Sequence, residues 1–116
     1  MFRFIAEVVL GMAIAPLHAA VVGKEVSYQA GDTVMKGYLA YDDSVTGKRP
    51  GILVVHEWWG HNSYARKRAE MLAELGYTAL ALDMYGDGRT ADHPDNAGKF
   101  ATAVRQDQDM MQARFN

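Results

Sequence analysis

Apolar and polar positions alternate between Lys24 and Tyr41, with Val26 and Tyr28 set among polar neighbours. A period of two is the signature of a strand. Ala30-Gly31-Asp32 interrupts it with a tight-turn composition. The pattern predicts a β-hairpin, with strands over 24–29 and 33–41. In the second strand Met35, Gly37, Leu39 and Tyr41 share one face, and Val34, Tyr38 and Ala40 share the other, so both faces are at least partly covered. A polar loop, 42–50, ends at Pro50, which sets an extended entry into four consecutive aliphatic residues, Ile52 to Val55. Such a run reads as a strand buried on both faces. Asn62 or Ser63 can cap a helix over 64–75. Ala65, Ala69, Leu72, Ala73 and Gly76 fall on one face of it, while Arg66, Lys67, Arg68, Glu70 and Glu74 make a solvated remainder. Gly76 suits the C-cap, and 77–82 is a further apolar strand. Strand, helix and strand within about thirty residues make a βαβ unit. From Pro94 the period turns helical, with Ala97, Phe100, Ala101, Val104 and Met111 along one stripe. Met110, Met111 and Phe115 carry the apolar face onward with no stop signal.

Residues 1–20 follow a different pattern. Arg3 precedes an apolar run from Val8 to Ala15, then Pro16 and Ala19-Ala20. The order of charged, apolar and small-residue regions is that of a secretory signal peptide. Glu7 interrupts the segment, and the alternative is an amphipathic or buried helix. The run is shorter than the roughly 20 residues needed to span a bilayer, so no stable membrane anchor is expected. Cleavage would leave a single domain, 21–116, in the periplasm or secreted; without cleavage the protein is expected in the cytoplasm.

Composition then narrows the chemistry. The 116 residues are 49% hydrophobic and 22% charged, with a formal net charge of -2. That is one globular domain with no electrostatic reason to bind nucleic acid. There are no cysteines, which excludes disulfides, thiolate metal sites and a cysteine nucleophile within these residues.

The apolar run 52–55 changes abruptly to His56-Glu57-Trp58-Trp59-Gly60-His61. In open α/β sheets ligands bind outside the carboxyl ends of strands, so this is the candidate rim of a site. A zincin helix needs H-E-x-x-H; here the histidines are five apart, the first closes a β-run, and Gly60 lies between them, so no metal is expected. Gly86-Asp87-Gly88 matches no phosphate-binding motif and reads as a turn. Ser27, Ser44 and Ser63 lack the glycines of a G-x-S-x-G nucleophile elbow. What remains is a strand, a polar-aromatic turn and a helix, the arrangement by which hydrolases supply one backbone N–H of an oxyanion hole. The donor would lie near Glu57 or Trp58.

The stretches GILVVHEWWG at 51–60, YAR at 64–66, AEMLAELGY at 69–77 and ALDMYG at 81–86 resemble the dienelactone hydrolase family. Tyr28, GYLAY at 37–41 and KRPG at 48–51 fit it as well. The resemblance runs from about Val22 to Gly86, and more loosely beyond. It implies the N-terminal half of an α/β-hydrolase fold, a hairpin plus parallel strands in the order 1-2-4-3. It implies an enol-lactone or related ester as substrate, a Cys-His-Asp triad lying downstream of the matched region, and no cofactor. The carboxylate that contacts the resting thiol maps to Glu57, and the oxyanion-hole N–H to Trp58. None of His18, His56, His61 or His93 maps to the triad histidine. Arg89 and Arg105 are candidates for a substrate carboxylate by proximity alone, and solvated surface residues otherwise.

Beside two tryptophans Glu57 is expected to be partly desolvated, which suits a carboxylate to proton exchange; otherwise it orders the loop. Trp59 and Tyr85 are expected as pocket wall, or else as packing residues. Lacking the triad, the chain is expected to be inactive alone, as part of an ester or lactone hydrolase. The alternative is a non-enzymatic fragment or an assembly module. The order 1-2-4-3 puts strand 3 at an edge, where self-association is expected.

Overall fold

The computed structural model describes residues 20–116, so the predicted leader lies outside the described residues apart from Ala20. The elements run β1 (Val21–Ala30), β2 (Thr33–Asp42), β3 (Gly51–Val54), α1 (Ser63–Glu74), β4 (Thr78–Ala81), α2 (Pro94–Gln106) and α3 (Gln108–Phe115).

The hairpin forms as its alternation predicts. β1 and β2 pair antiparallel from Val21 opposite Asp42 to Ala30 opposite Thr33, leaving Gly31 and Asp32 as the turn. β2 pairs antiparallel with β4, and β4 parallel with β3, with Leu53 opposite Leu80. The sheet order is β1-β2-β4-β3, and the architecture is a mixed α/β sheet with helices.

Alternation in β4 separates two cores. Ala79 and Ala81 face α1, where Ala65, Ala69 and Ala73 are buried against them and Ala40. Alanine at every fourth position is what lets a helix sit close on a sheet. Leu80 faces the other way, toward Leu82, Met84, Tyr85 and Val104, with Phe100, Ala101, Met110 and Met111 packed around them.

Both ends of α1 are closed as the sequence suggests. The Asn62 side chain accepts the Ala65 N–H at 3.2 Å. Gly76, at φ +99°, donates to Ala73 O, and Tyr77 N–H reaches back to Leu72 O, a complete Schellman closure.

Three boundaries differ from the sequence reading. β3 and β4 stop at Val54 and Ala81, short of the apolar runs, because the chain leaves the ladder for its loops. β1 begins at Val21, since pairing with β2 recruits residues whose own alternation is weak. The C-terminal helix breaks at Asp107, whose N–H caps Val104 O while its carboxylate accepts the Met110 N–H. One residue thus ends α2 and starts α3.

Candidate oxyanion turn

After Val54 the chain leaves the sheet and turns over Glu57–Gly60, closed by the Gly60 N–H donating to Glu57 O at 3.0 Å. Gly60 holds φ +96°, and a Cβ there would lie 2.5 Å from Arg89 O, so the turn tolerates only glycine.

The turn is fastened to the loop that follows β4. His56 Nε2 accepts the Met84 N–H at 3.0 Å, and Nδ1 lies 2.6 Å from Glu57 O. Burial pushes the His56 imidazole below the usual histidine range, which favours the neutral ring that this bonding needs. Tyr85, only 4% exposed, donates its hydroxyl to Trp58 O at 2.7 Å. Burial raises that phenol's pKa, so it keeps the proton it donates. Its ring packs edge-on to His56 at 4.8 Å and against Phe100 at 5.4 Å. Ala91 N–H reaches Trp59 O at 2.8 Å, and Gly60 bridges to Thr90.

The β4 loop is itself built around a buried carboxylate. Asp83 is fully buried and accepts the backbone N–H groups of Lys36, Gly86 and Gly88 at 2.9, 3.0 and 2.7 Å. Arg114 donates to Met84 O and Tyr85 O, both at 3.0 Å, and Arg89 to Tyr85 O at 2.6 Å. A second strut starts from His61, whose Nδ1 meets Leu82 O at 2.9 Å and whose Nε2 accepts from Arg66 Nε at 3.0 Å. Arg66 also pairs with Glu25 at 2.8 Å and covers the Tyr38 ring. Among the described residues no group of three or more His, Asp or Glu side chains is placed to hold a metal. His56 and His61 each commit both ring nitrogens to internal bonds.

The predicted site residues do not share one cavity. Glu57 lies on the rim of an open groove of about 710 Å³ between β3 and α1. Tyr85 lines a smaller cavity of about 140 Å³ with Arg89, Phe100 and Arg114. Trp58 and Trp59 line neither; Trp58 is 44% exposed, Trp59 is half-buried, and their rings pack against each other at 5.3 Å, tilted by 60°. Glu57 is exposed, so the desolvation expected from two tryptophans is absent: they pack together rather than over the carboxylate. Tyr85 is the link, because its hydroxyl ties the small cavity to the turn. Arg89 is held to the loop carbonyls.

Sequence reasoning missed His56, Asp83, Arg66 and Arg114 as the groups that hold the turn. An aspartate closing an apolar strand ahead of Gly86 and Gly88 was the available signal for Asp83. The bonds of the other three to distant elements, His56 to Met84, Arg66 to Glu25 and Arg114 to Met84 and Tyr85, span long sequence separations and leave no local mark.

A sequence model of the Dienelactone hydrolase family matches residues 35–115. The Aquifex aeolicus protein "Putative carboxymethylenebutenolidase" is 36% identical over 86 residues, covering 72% of this chain and 36% of its own length. The solved structure m3DLH superposes with a TM-score of 0.76 at 36% identity, over 83% of this chain and 42% of that one. The dienelactone hydrolase-like promiscuous phosphotriesterase P91, from metagenomic libraries, matches with a TM-score of 0.76 at 34% identity, over 82% of this chain and 39% of that one. The chain therefore spans about two-fifths of the length of these relatives. With the family match covering more than half of its residues, this chain belongs to the dienelactone hydrolase family.

Proposed function

We propose that residues 21–116 supply the oxyanion-stabilising turn of a carboxylic ester or lactone hydrolase. The nucleophile in this reading comes from outside these 116 residues, which hold no cysteine and no G-x-S-x-G. The observation that carries the proposal is the Trp58 N–H. It sits in a fixed turn beyond the carboxyl end of a strand, and among the described residues it donates to no protein acceptor. A preorganised free N–H is what a developing oxyanion requires. Glu57, exposed on the groove rim, is free to take a proton or hydrogen bond from a thiol brought beside it. The Aquifex aeolicus relative's name, a putative carboxymethylenebutenolidase, supports the substrate class.

The test is a chimera in which this chain's residues 21–116 replace the matched part of m3DLH. The chimera is expected to hydrolyse p-nitrophenyl acetate, while the 116-residue chain alone adds nothing to the buffer rate. Glu57→Gln in the chimera is expected to lower kcat by about 10²-fold or more, the range for losing a positioned acid or base. A folded but inert chimera, or turnover by the chain alone, would overturn the reading.

A further inference from the structure

Glu57 O and the Trp58 N–H belong to one peptide group. Two contacts converge on that carbonyl: the Gly60 N–H at 3.0 Å and His56 Nδ1 at 2.6 Å. The direction of the second contact follows from the other side of the ring. Nε2 accepts the Met84 N–H, and in a neutral imidazole an acceptor nitrogen on one side leaves the proton on the other. Nδ1 therefore carries the proton and donates it to Glu57 O.

A trans peptide is planar, so fixing its carbonyl on one side aims its N–H to the opposite side. Hydrogen bonds to the carbonyl also withdraw charge through the amide and strengthen the N–H as a donor. We propose that His56 is a positioning residue that holds and polarises the Glu57–Trp58 peptide, making the Trp58 N–H a better oxyanion donor. The catalytic part of this rests on the reading of that N–H given above. The ring is well placed for such work. Tyr85 packs against it edge-on, and Met84, its other partner, is held by Arg114 through the Met84 carbonyl. Stabilisation that strengthens as negative charge develops acts on kcat and leaves ground-state binding nearly unchanged.

A plain loop anchor would need only the bond to Met84, which by itself leaves the proton on Nδ1; the proposal also needs that proton to be donated to Glu57 O and felt at the Trp58 N–H. Solution NMR on the 116-residue chain separates the two. In the unmodified protein the His56 ring nitrogens should report a proton on Nδ1 and a through-bond coupling to the Glu57 carbonyl carbon. His56→Phe keeps the ring volume without donor or acceptor and should move the Trp58 amide proton upfield, with the α1 amides unchanged. His56→Gln carries both an N–H donor group and a carbonyl acceptor on its terminal amide and should restore most of that shift. A proton on Nε2 in the unmodified protein overturns the proposal even if the Phe variant fails to fold. So does a Trp58 resonance unmoved by His56→Phe. In the chimera, His56→Phe should lower kcat by about tenfold with KM held, short of the 10²–10³-fold seen when a donor is lost outright. Equal kcat in the two proteins would refute the catalytic part. An inert parent chimera would instead count against the oxyanion reading, while the NMR result would still decide whether His56 holds the peptide.

Discussion

β3 meets two different environments. Its carboxyl end runs into a turn tied at His56, Trp58, Trp59 and Gly60 to the loop after β4. Its outer edge faces a groove where Leu53 and Val55 are 46% and 53% exposed, flanked by Tyr64, Met71 and Leu75 of α1. The first region is defined by directional polar contacts and little free space; the second is apolar and open. On the reading proposed above, the contrast separates two requirements: a turn that donates to an oxyanion must be rigid before anything binds, whereas the edge is where more sheet or another chain can be added.

Breaking the rigid side should cost most. Asp83→Ala would strip the acceptor from three backbone N–H groups at once, each worth about 1–3 kcal/mol when left unpaired in the interior. A loss of about 3 kcal/mol or more is expected from urea denaturation. A change below about 1 kcal/mol would show that the β4 loop does not depend on its carboxylate.

Gly60→Ala comes next. Left-handed backbone costs a non-glycine residue about 1–3 kcal/mol, and the new methyl would meet Arg89 O. The stability loss should come with faster hydrogen exchange at Ala91, whose N–H is bonded to Trp59 O. Unchanged exchange there would separate the turn from the β4 loop.

A smaller effect is expected on mild acidification. The folded-state pKa of His56 is depressed, so between that value and about 6.5 the unfolded chain binds the extra proton. The contribution of neutral His56 is present above pH 6.5 and is lost as the pH falls through the folded-state value. Stability measured in denaturant should decline from pH 7 toward pH 5, and His56→Gln should flatten the decline. The Glu25 carboxyl, held low by Arg66, responds only below its ordinary value of 4.5, so the two windows are distinct.

The open side should tolerate change. Met71→Ser and Leu75→Ser are expected to alter stability by less than about 0.5 kcal/mol, as for exposed positions generally. Neither lysine nor proline interrupts β3 from Gly51 to Val54, so its edge can pair with a second copy of the chain. Sedimentation velocity should show concentration-dependent association, and Leu53→Lys should shift it to monomer. A monomer at high concentration, or a large stability loss at Leu75, would erase the contrast between the two regions.

Most of the scaffold was legible because its determinants are local. Alternation marked the hairpin, the spacing of Ala65, Ala69 and Ala73 marked the buried face of α1, and Asn62 and Gly76 marked its ends. The order β1-β2-β4-β3 came from resemblance, since nothing in the spacing of the strands dictates which neighbour each takes. The ends of β3 and β4 were over-read because the apolar runs continue past the ladder: Val55 is exposed, and buried Leu82 keeps its N–H on Val54 O while its carbonyl turns to His61. The candidate site was legible in position and not in architecture. His56-Glu57-Trp58-Trp59 could be placed at a strand end, but its fastening depends on Met84, Tyr85 and Ala91, whose approach only the folded chain reveals. Arg66 read as one more charge on a wet helix face, and its span from His61 to Glu25 crosses elements that the sequence keeps apart.

The place of β4 between β2 and β3 also constrains how the chain assembles. On the ribosome the β1–β2 hairpin can close as soon as it emerges. β3 follows with nothing to pair against, because the strand that joins it to the hairpin is still some two dozen residues from being made. At about 5–20 residues per second that gap lasts about one to five seconds. Throughout it the aliphatic run is an exposed, unpaired segment of nascent polypeptide, the period in which a holding chaperone would matter most to the yield of folded protein.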